Sequence, residues 1–124
     1  MQYFLSLGSN INAEANIIFA IEQLNKILTN TKFSSIHKTK AEGFEGDDFL
    51  NLVAAGKSDL SFDDLNEKLK DIENESGRKR DVPKFSARTL DIDIVLQLDD
   101  DEIVFESNEI EKYSFVSEPL KEVL

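Results

Sequence analysis

Cysteine is absent from the 124 residues, which excludes disulfides, thiolate metal sites and a cysteine nucleophile. Positive charge is also scarce: 14 Lys and Arg stand against 25 Asp and Glu, for a net charge of −11. So acidic a chain is not held on nucleic acid or anionic lipid by charge, and neither is expected as a partner. No apolar run approaches the ~18 residues that cross a bilayer. The opening Met-Gln-Tyr-Phe-Leu-Ser-Leu-Gly has neither the basic region nor the apolar stretch of a secretory signal, so the expected location is the cytoplasm. The phosphate-binding pattern Gly-x-x-x-x-Gly-Lys-Ser/Thr does not occur, so any nucleotide is held by other means. What remains is a chain with 40% hydrophobic residues, nine Phe among them, and 31% charged residues, enough for one packed domain over residues 1–124.

Hydrophobic period divides the chain into alternating strands and helices. Tyr3, Leu5 and Leu7 share one side of a first strand, and Gly8-Ser9-Asn10 ends it. Asn12 can cap a helix whose stripe is Ile17, Ile21, Leu24 and Leu28, with Asn30 as its stop. Residues 33–39 predict a polar edge strand, followed by a Gly- and acid-rich loop over 41–48. In the next strand Leu50, Leu52 and Ala54 form a core face, while Phe49, Asn51 and Val53 point the other way. Ser61 caps a second helix with the stripe Phe62, Leu65, Leu69 and Ile72, and Gly77 suits its left-handed end. Leu90, Ile92, Ile94 and Leu96 then alternate with Asp91, Asp93 and Val95, and the acidic turn 99–101 leads into a short returning strand, Ile103 to Phe105. Striped helices interleaved with one-faced strands predict an α+β fold, a ferredoxin-like βαββαβ two-layer sandwich with an extra C-terminal β-hairpin.

The chemistry concentrates around Arg88-Thr89-Leu90-Asp91-Ile92-Asp93. Alternation puts both carboxylates on one face, about 7 Å apart along the strand, from which they can converge on one Mg²⁺ or hold two. An ordinary strand with a solvated acidic face would carry the same pair, but two features favour a metal. The preceding loop holds Arg78, Lys79, Arg80, Lys84 and Arg88 against one acid, Asp81, and beside a metal pair it reads as a phosphate clamp. Phe49 and Asn51 share a face, offering a ring to stack on and an amide that both donates and accepts, which suits a flat heterocycle. The single histidine, His37, lies on the polar edge strand and reads as a surface residue.

These pieces resemble the 6-hydroxymethyl-7,8-dihydropterin pyrophosphokinase family. The matching segments are Leu7-Gly8-Ser9-Asn10, Asp48-Phe49-Leu50-Asn51, Ile72-Glu73, Gly77-Arg78-Lys79-Arg80 and Ala87-Arg88-Thr89-Leu90-Asp91-Ile92-Asp93-Ile94, with Phe115-Val116 and Glu118-Pro119-Leu120 near the end. The resemblance implies transfer of pyrophosphate from ATP, as co-substrate, to the pterin's hydroxymethyl oxygen, with AMP leaving, so the partners are the pterin and ATP; a monomer is expected. It implies that Asp91 and Asp93 are ligands of two Mg²⁺ ions and, with Arg78 and Arg88, the catalytic residues. Phe49, Asn51 and Phe115 would bind the pterin, and Glu73, Arg78, Arg80, Lys84 and Arg88 the ATP. The family usually has a Pro-His pair and an Arg shortly before the closing aromatic; here no His follows His37 and no Arg follows Arg88. An active short form is therefore weighed against a pterin- or nucleotide-binding paralogue with little turnover, and against a generic interaction module.

Overall fold

A computed structural model describes residues 1–40, 46–77 and 89–124. Six strands form one antiparallel sheet: β1 (Gln2–Ser9), β2 (Thr29–Phe33), β3 (His37–Thr39), β4 (Phe49–Lys57), β5 (Asp91–Asp99) and β6 (Glu102–Glu106). The order across it is β2-β4-β1-β5-β6, and β3 pairs with β4 beyond the end of β2. The helices are α1 (Ala13–Ile27), α2 (Phe62–Glu75), α3 (Glu109–Lys112) and α4 (Ser114–Val123). The chain is thus a mixed α+β protein. Among the described residues no helix is long and apolar enough to cross a membrane.

Two apolar clusters sit on opposite faces of the sheet. On the first, Tyr3, Leu5 and Leu7 of β1, Leu52 and Ala54 of β4, and Ile92 and Ile94 of β5 meet Ile17 and Leu24 of α1 and Leu65, Leu69 and Ile72 of α2. On the second, Phe4, Val53, Ala55, Val95 and Leu96 meet Val116, Leu120 and Val123 of α4. The expected two layers therefore become three, because Ser114–Val123 forms a helix whose apolar residues recur at i, i+4 and i+7. Pro119 in its middle masks that signal in the sequence. Leu96 also departs from expectation. The β1–β5 register shifts between Phe4, opposite Leu96, and Leu5, opposite Ile94. The extra residue is a bulge that turns Leu96 into the second cluster with Val95.

Local signals set the remaining boundaries. Ser61 Oγ accepts from Asp64 N–H at 3.2 Å and starts α2, and Gly77, with φ of 88°, follows its last turn. Asp100 and Asp101 both have positive φ, 49° and 68°, as a two-residue turn between β5 and β6 requires. α1 ends at Ile27, short of Asn30, because Leu28 becomes extended. Its side chain packs on Gly56, where a Cβ would lie 2.9 Å from Leu28 Cβ. The single strand expected over 33–39 is split into β2 and β3 around Ser34, whose N–H donates to the Val53 carbonyl and whose hydroxyl accepts from Val53 N–H, each at 2.9 Å. Glu122 of α4 then fastens this edge. It accepts from Ser35 N–H at 2.8 Å and meets His37 Nε2 at 2.5 Å. The Ser35 amide, the His37 ring and the Ser35 hydroxyl hold the Glu122 carboxyl down at about 2.

Candidate active site

The site is assembled around Gly8 at the centre of the sheet. Gly8 lies opposite Asn51 of β4 and opposite Asp91 of β5, while Ser6 lies opposite Val53 and Asp93. Directly paired residues share a face, so Asn51, Asp91 and Asp93 project from the face that α4 covers, next to its apolar cluster. Phe49, two residues before Asn51, joins them. The missing side chain at residue 8 has a steric reason, since a Cβ there would stand 3.1 Å from Asn51 Oδ1 and 3.8 Å from Phe49 Cδ1.

The neighbouring residues hold this arrangement in place. Ser9 Oγ donates to the Thr89 carbonyl just before β5 at 2.5 Å, and Asn10 Nδ2 donates to the Asp47 carbonyl just before β4 at 3.0 Å. The end of β1 thereby anchors the points where both flanking strands begin. Asn51 is buried, and its Nδ2 donates to Thr39 Oγ1 at 2.6 Å. That bond sets the orientation of the amide on the face it shares with Phe49. Thr39 is missed by pattern reading because it pairs with Phe49 only through the sheet.

At the other side of Gly8 the carboxylates gather. One ligand atom each from Glu73, Asp91 and Asp93 lies within 4.8 Å of the others. β6 pairs only with Leu96–Asp99, so the first residues of β5 have no strand on that side among the described residues. Side chains of α2 fill the gap: Glu73 Oε2 accepts from Ile92 N–H at 2.7 Å, and Lys70 Nζ donates to the Ile92 carbonyl at 3.2 Å. Lys70 Nζ also donates to Glu73 Oε2 at 3.2 Å and to Asp93 Oδ1 at 3.3 Å. Glu73 is fully buried, whereas the Asp93 side chain keeps 39% of its exposure. Burial first, then the Asp91 carboxylate, push Asp93 up to about 7; Lys70 pulls it down, and Glu109 and Glu73 raise it further. The cluster therefore carries more negative charge than its own lysine offsets. An all-oxygen donor set with surplus charge and solvent access fits a hard divalent cation such as Mg²⁺.

The other expected residues are distributed as follows. Phe115 stands at the start of α4, stacked on Tyr113 with ring centroids 4.7 Å apart, and packs against the second apolar cluster on the same face as Phe49. Arg78, Arg80, Lys84 and Arg88 lie outside the described residues. Lys70 carries no motif. Its only sequence signal is its place one turn before Glu73, which becomes informative once α2 is seen beside β5.

A carboxylate cluster with the donor set of a hard-cation site thus lies beside a buried amide and an aromatic ring on an antiparallel α+β sheet. The profile of the 7,8-dihydro-6-hydroxymethylpterin-pyrophosphokinase family matches residues 4–124, and the chain belongs to that family. It is similar to the 2-amino-4-hydroxy-6-hydroxymethyldihydropteridine pyrophosphokinase of Aquifex aeolicus, at 40% identity over 78% of this chain and 61% of that one. The Bacillus subtilis protein of the same name is 34% identical, covering 97% of this chain and 76% of its own. The one from Haemophilus influenzae is 32% identical, covering 97% and 79%. Family and relatives alike are named for pyrophosphate transfer to a hydroxymethyl-dihydropterin.

Proposed function

We propose that this chain transfers pyrophosphate from ATP to the hydroxymethyl oxygen of a 6-hydroxymethyl-7,8-dihydropterin on the open half of the α4 face of the sheet. The observation that carries the reading is the double register of Gly8, opposite Asn51 on one side and Asp91 on the other. Adjacent strands lie about 5 Å apart, so the pterin amide and the cation ligands are separated by roughly 10 Å across one glycine. That leaves room for a pterin lying over β4 to direct its hydroxymethyl group toward phosphates held over β5.

The residues divide the work by chemistry. Asn51, its amide set by Thr39, pairs with the edge of the pterin while Phe49 and Phe115 take its faces. Asp91 and Asp93 would hold two Mg²⁺ ions, which when bound would offset phosphate charge and align the groups that react. Arg78, Arg80, Lys84 and Arg88 bind the ATP phosphates. Glu73 supports the nucleotide side by fixing Ile92, the residue between the two aspartates. The hydroxymethyl oxygen attacks the β-phosphorus, the bond from that phosphorus to the α,β-bridging oxygen breaks, AMP leaves and the hydroxyl proton passes to solvent. Such a step asks the protein for alignment and charge neutralisation, and no side chain is assigned as general base. The strand order supports a ferredoxin-like core, with β5–β6 as its added hairpin and α4 as a third layer. We place the protein in the cytoplasm as a monomer.

The test is AMP release from MgATP by the purified chain, with and without the pterin. Pterin-dependent AMP is expected, and Asp91→Ala is expected to reduce it at least about a hundredfold, the loss of several kcal/mol of charge stabilisation. Undiminished transfer in Asp91→Ala would overturn the site. Binding of the pterin without AMP would establish instead the binding paralogue, a reading favoured by the absence of any Arg after Arg88.

A further inference from the structure

We propose that Lys70 is a tethered counter-ion of the cation site: in the metal-free chain its ammonium holds Asp93 and Glu73 in position, and it competes with the divalent cation for Asp93. The inference rests on the assignment of Asp91 and Asp93 as cation ligands and adds a residue outside the segments on which the resemblance was read.

Among its acceptors in the described residues, the ammonium meets Asp93 Oδ1 at 3.3 Å, Glu73 Oε2 at 3.2 Å and, third, the Ile92 carbonyl at 3.2 Å. Two of them are carboxylates of the cluster whose ligand atoms lie within 4.8 Å of one another. The third is the backbone carbonyl between the two aspartates, so the charge is pinned at the open edge of β5. A positive charge in contact with Asp93 keeps that side chain from swinging into solvent, and it also opposes the approach of a second cation to the same oxygens. The lysine side chain is 34% exposed, so the ion pairs it makes stand within reach of water. A flexible stem with a compact charge can withdraw from Asp93 at small cost, which a rigid guanidinium could not do as easily.

The consequence is a site that resists a bare cation and fills more readily when the cation arrives with polyphosphate, because phosphate oxygens offer the displaced ammonium new acceptors. Lys70 thereby adds a positive charge on the phosphate side of a chain that has no His after His37 and no Arg after Arg88.

The experiment measures Mn²⁺ binding to the nucleotide-free chain by electron paramagnetic resonance, at one fixed pH for all variants. Lys70→Met is expected to bind Mn²⁺ about tenfold more tightly than the unaltered chain, since one repelling charge has been removed. Lys70→Gln, which drops the charge but offers an amide to the Ile92 carbonyl, guards against a Met variant that fails to fold and should show the same gain. Asp91→Asn identifies the site. If Mn²⁺ binding depends on Asp91 but is equal or weaker in both Lys70 variants, the counter-ion role is overturned while the ligand assignment stands. If binding does not depend on Asp91, the ligand assignment fails and the inference with it.

Discussion

The two faces of β1 follow opposite rules. On the side under α1 and α2, Tyr3, Leu5 and Leu7 are all fully buried, so each step along the strand adds a large side chain to the core. On the other side the sequence runs Phe4, Ser6, Gly8, and each step removes atoms. The partner strands turn from apolar to polar in parallel, from Ala55 and Val53 to Asn51 on β4 and from Leu96 to Asp93 and Asp91 on β5. One face is thus built to be closed by the chain's own helices. The other meets the apolar side chains of α4 only along its apolar half, and where these give way to glycine, amide and carboxylate lies the surface we propose for ligands. Stability and chemistry share one strand by using its two sides.

Leu69→Ala should produce the largest effect on this comparison. It empties part of the closed face and should cost about 2–5 kcal/mol, read from urea denaturation, with pterin affinity unchanged in the population that remains folded. Gly8→Ala acts on the open face. Its Cβ would crowd Asn51 Oδ1 at 3.1 Å, so pterin affinity measured by calorimetry should fall about tenfold while stability changes by less than about 1 kcal/mol. A loss of stability as large as that of Leu69→Ala would mean that the open face belongs to the core and that the contrast is false.

The smallest effect is electrostatic. Asp93 titrates near 7 in the folded chain against an ordinary value of 3.8. Between those pH values the folded state binds the extra proton, so the metal-free chain should lose stability as pH rises from about 4 to 7 and then level off. Because the side chain is partly solvated, the loss should be no more than about 1 kcal/mol. Comparison with Asp93→Asn isolates this contribution from that of the other acids. Urea midpoints measured in EDTA should diverge between the two chains across that range, and saturating Mg²⁺ should flatten the slope of the unaltered chain.

Much of the closed face was legible in the sequence, because its signals are local. The alternation of Leu50, Leu52 and Ala54, the cap at Ser61, the left-handed Gly77 and the turn at Asp100 and Asp101 each depend on near neighbours, and each stands where pattern and turn chemistry put it. The shared side of Phe49 and Asn51, and of Asp91 and Asp93, was legible for the same reason, since period two decides it. What escaped depends on distant residues. The bulge that turns Leu96 over is a property of the β1–β5 pairing, and α4 hides its stripe behind Pro119. Thr39 and Lys70 acquire their roles only when β3 is laid along β4 and α2 beside β5.

The short reach of β6 has one more consequence. Because no strand among the described residues covers the start of β5, the Ile92 amide is bonded to the Glu73 carboxylate, at 2.7 Å, in place of a backbone carbonyl. A proton held by a charged acceptor is drawn far downfield in an NMR spectrum and is slow to exchange. That single resonance sits between the two aspartates and would serve as a built-in gauge of the cluster, moving whenever Glu73 or its neighbours change partners.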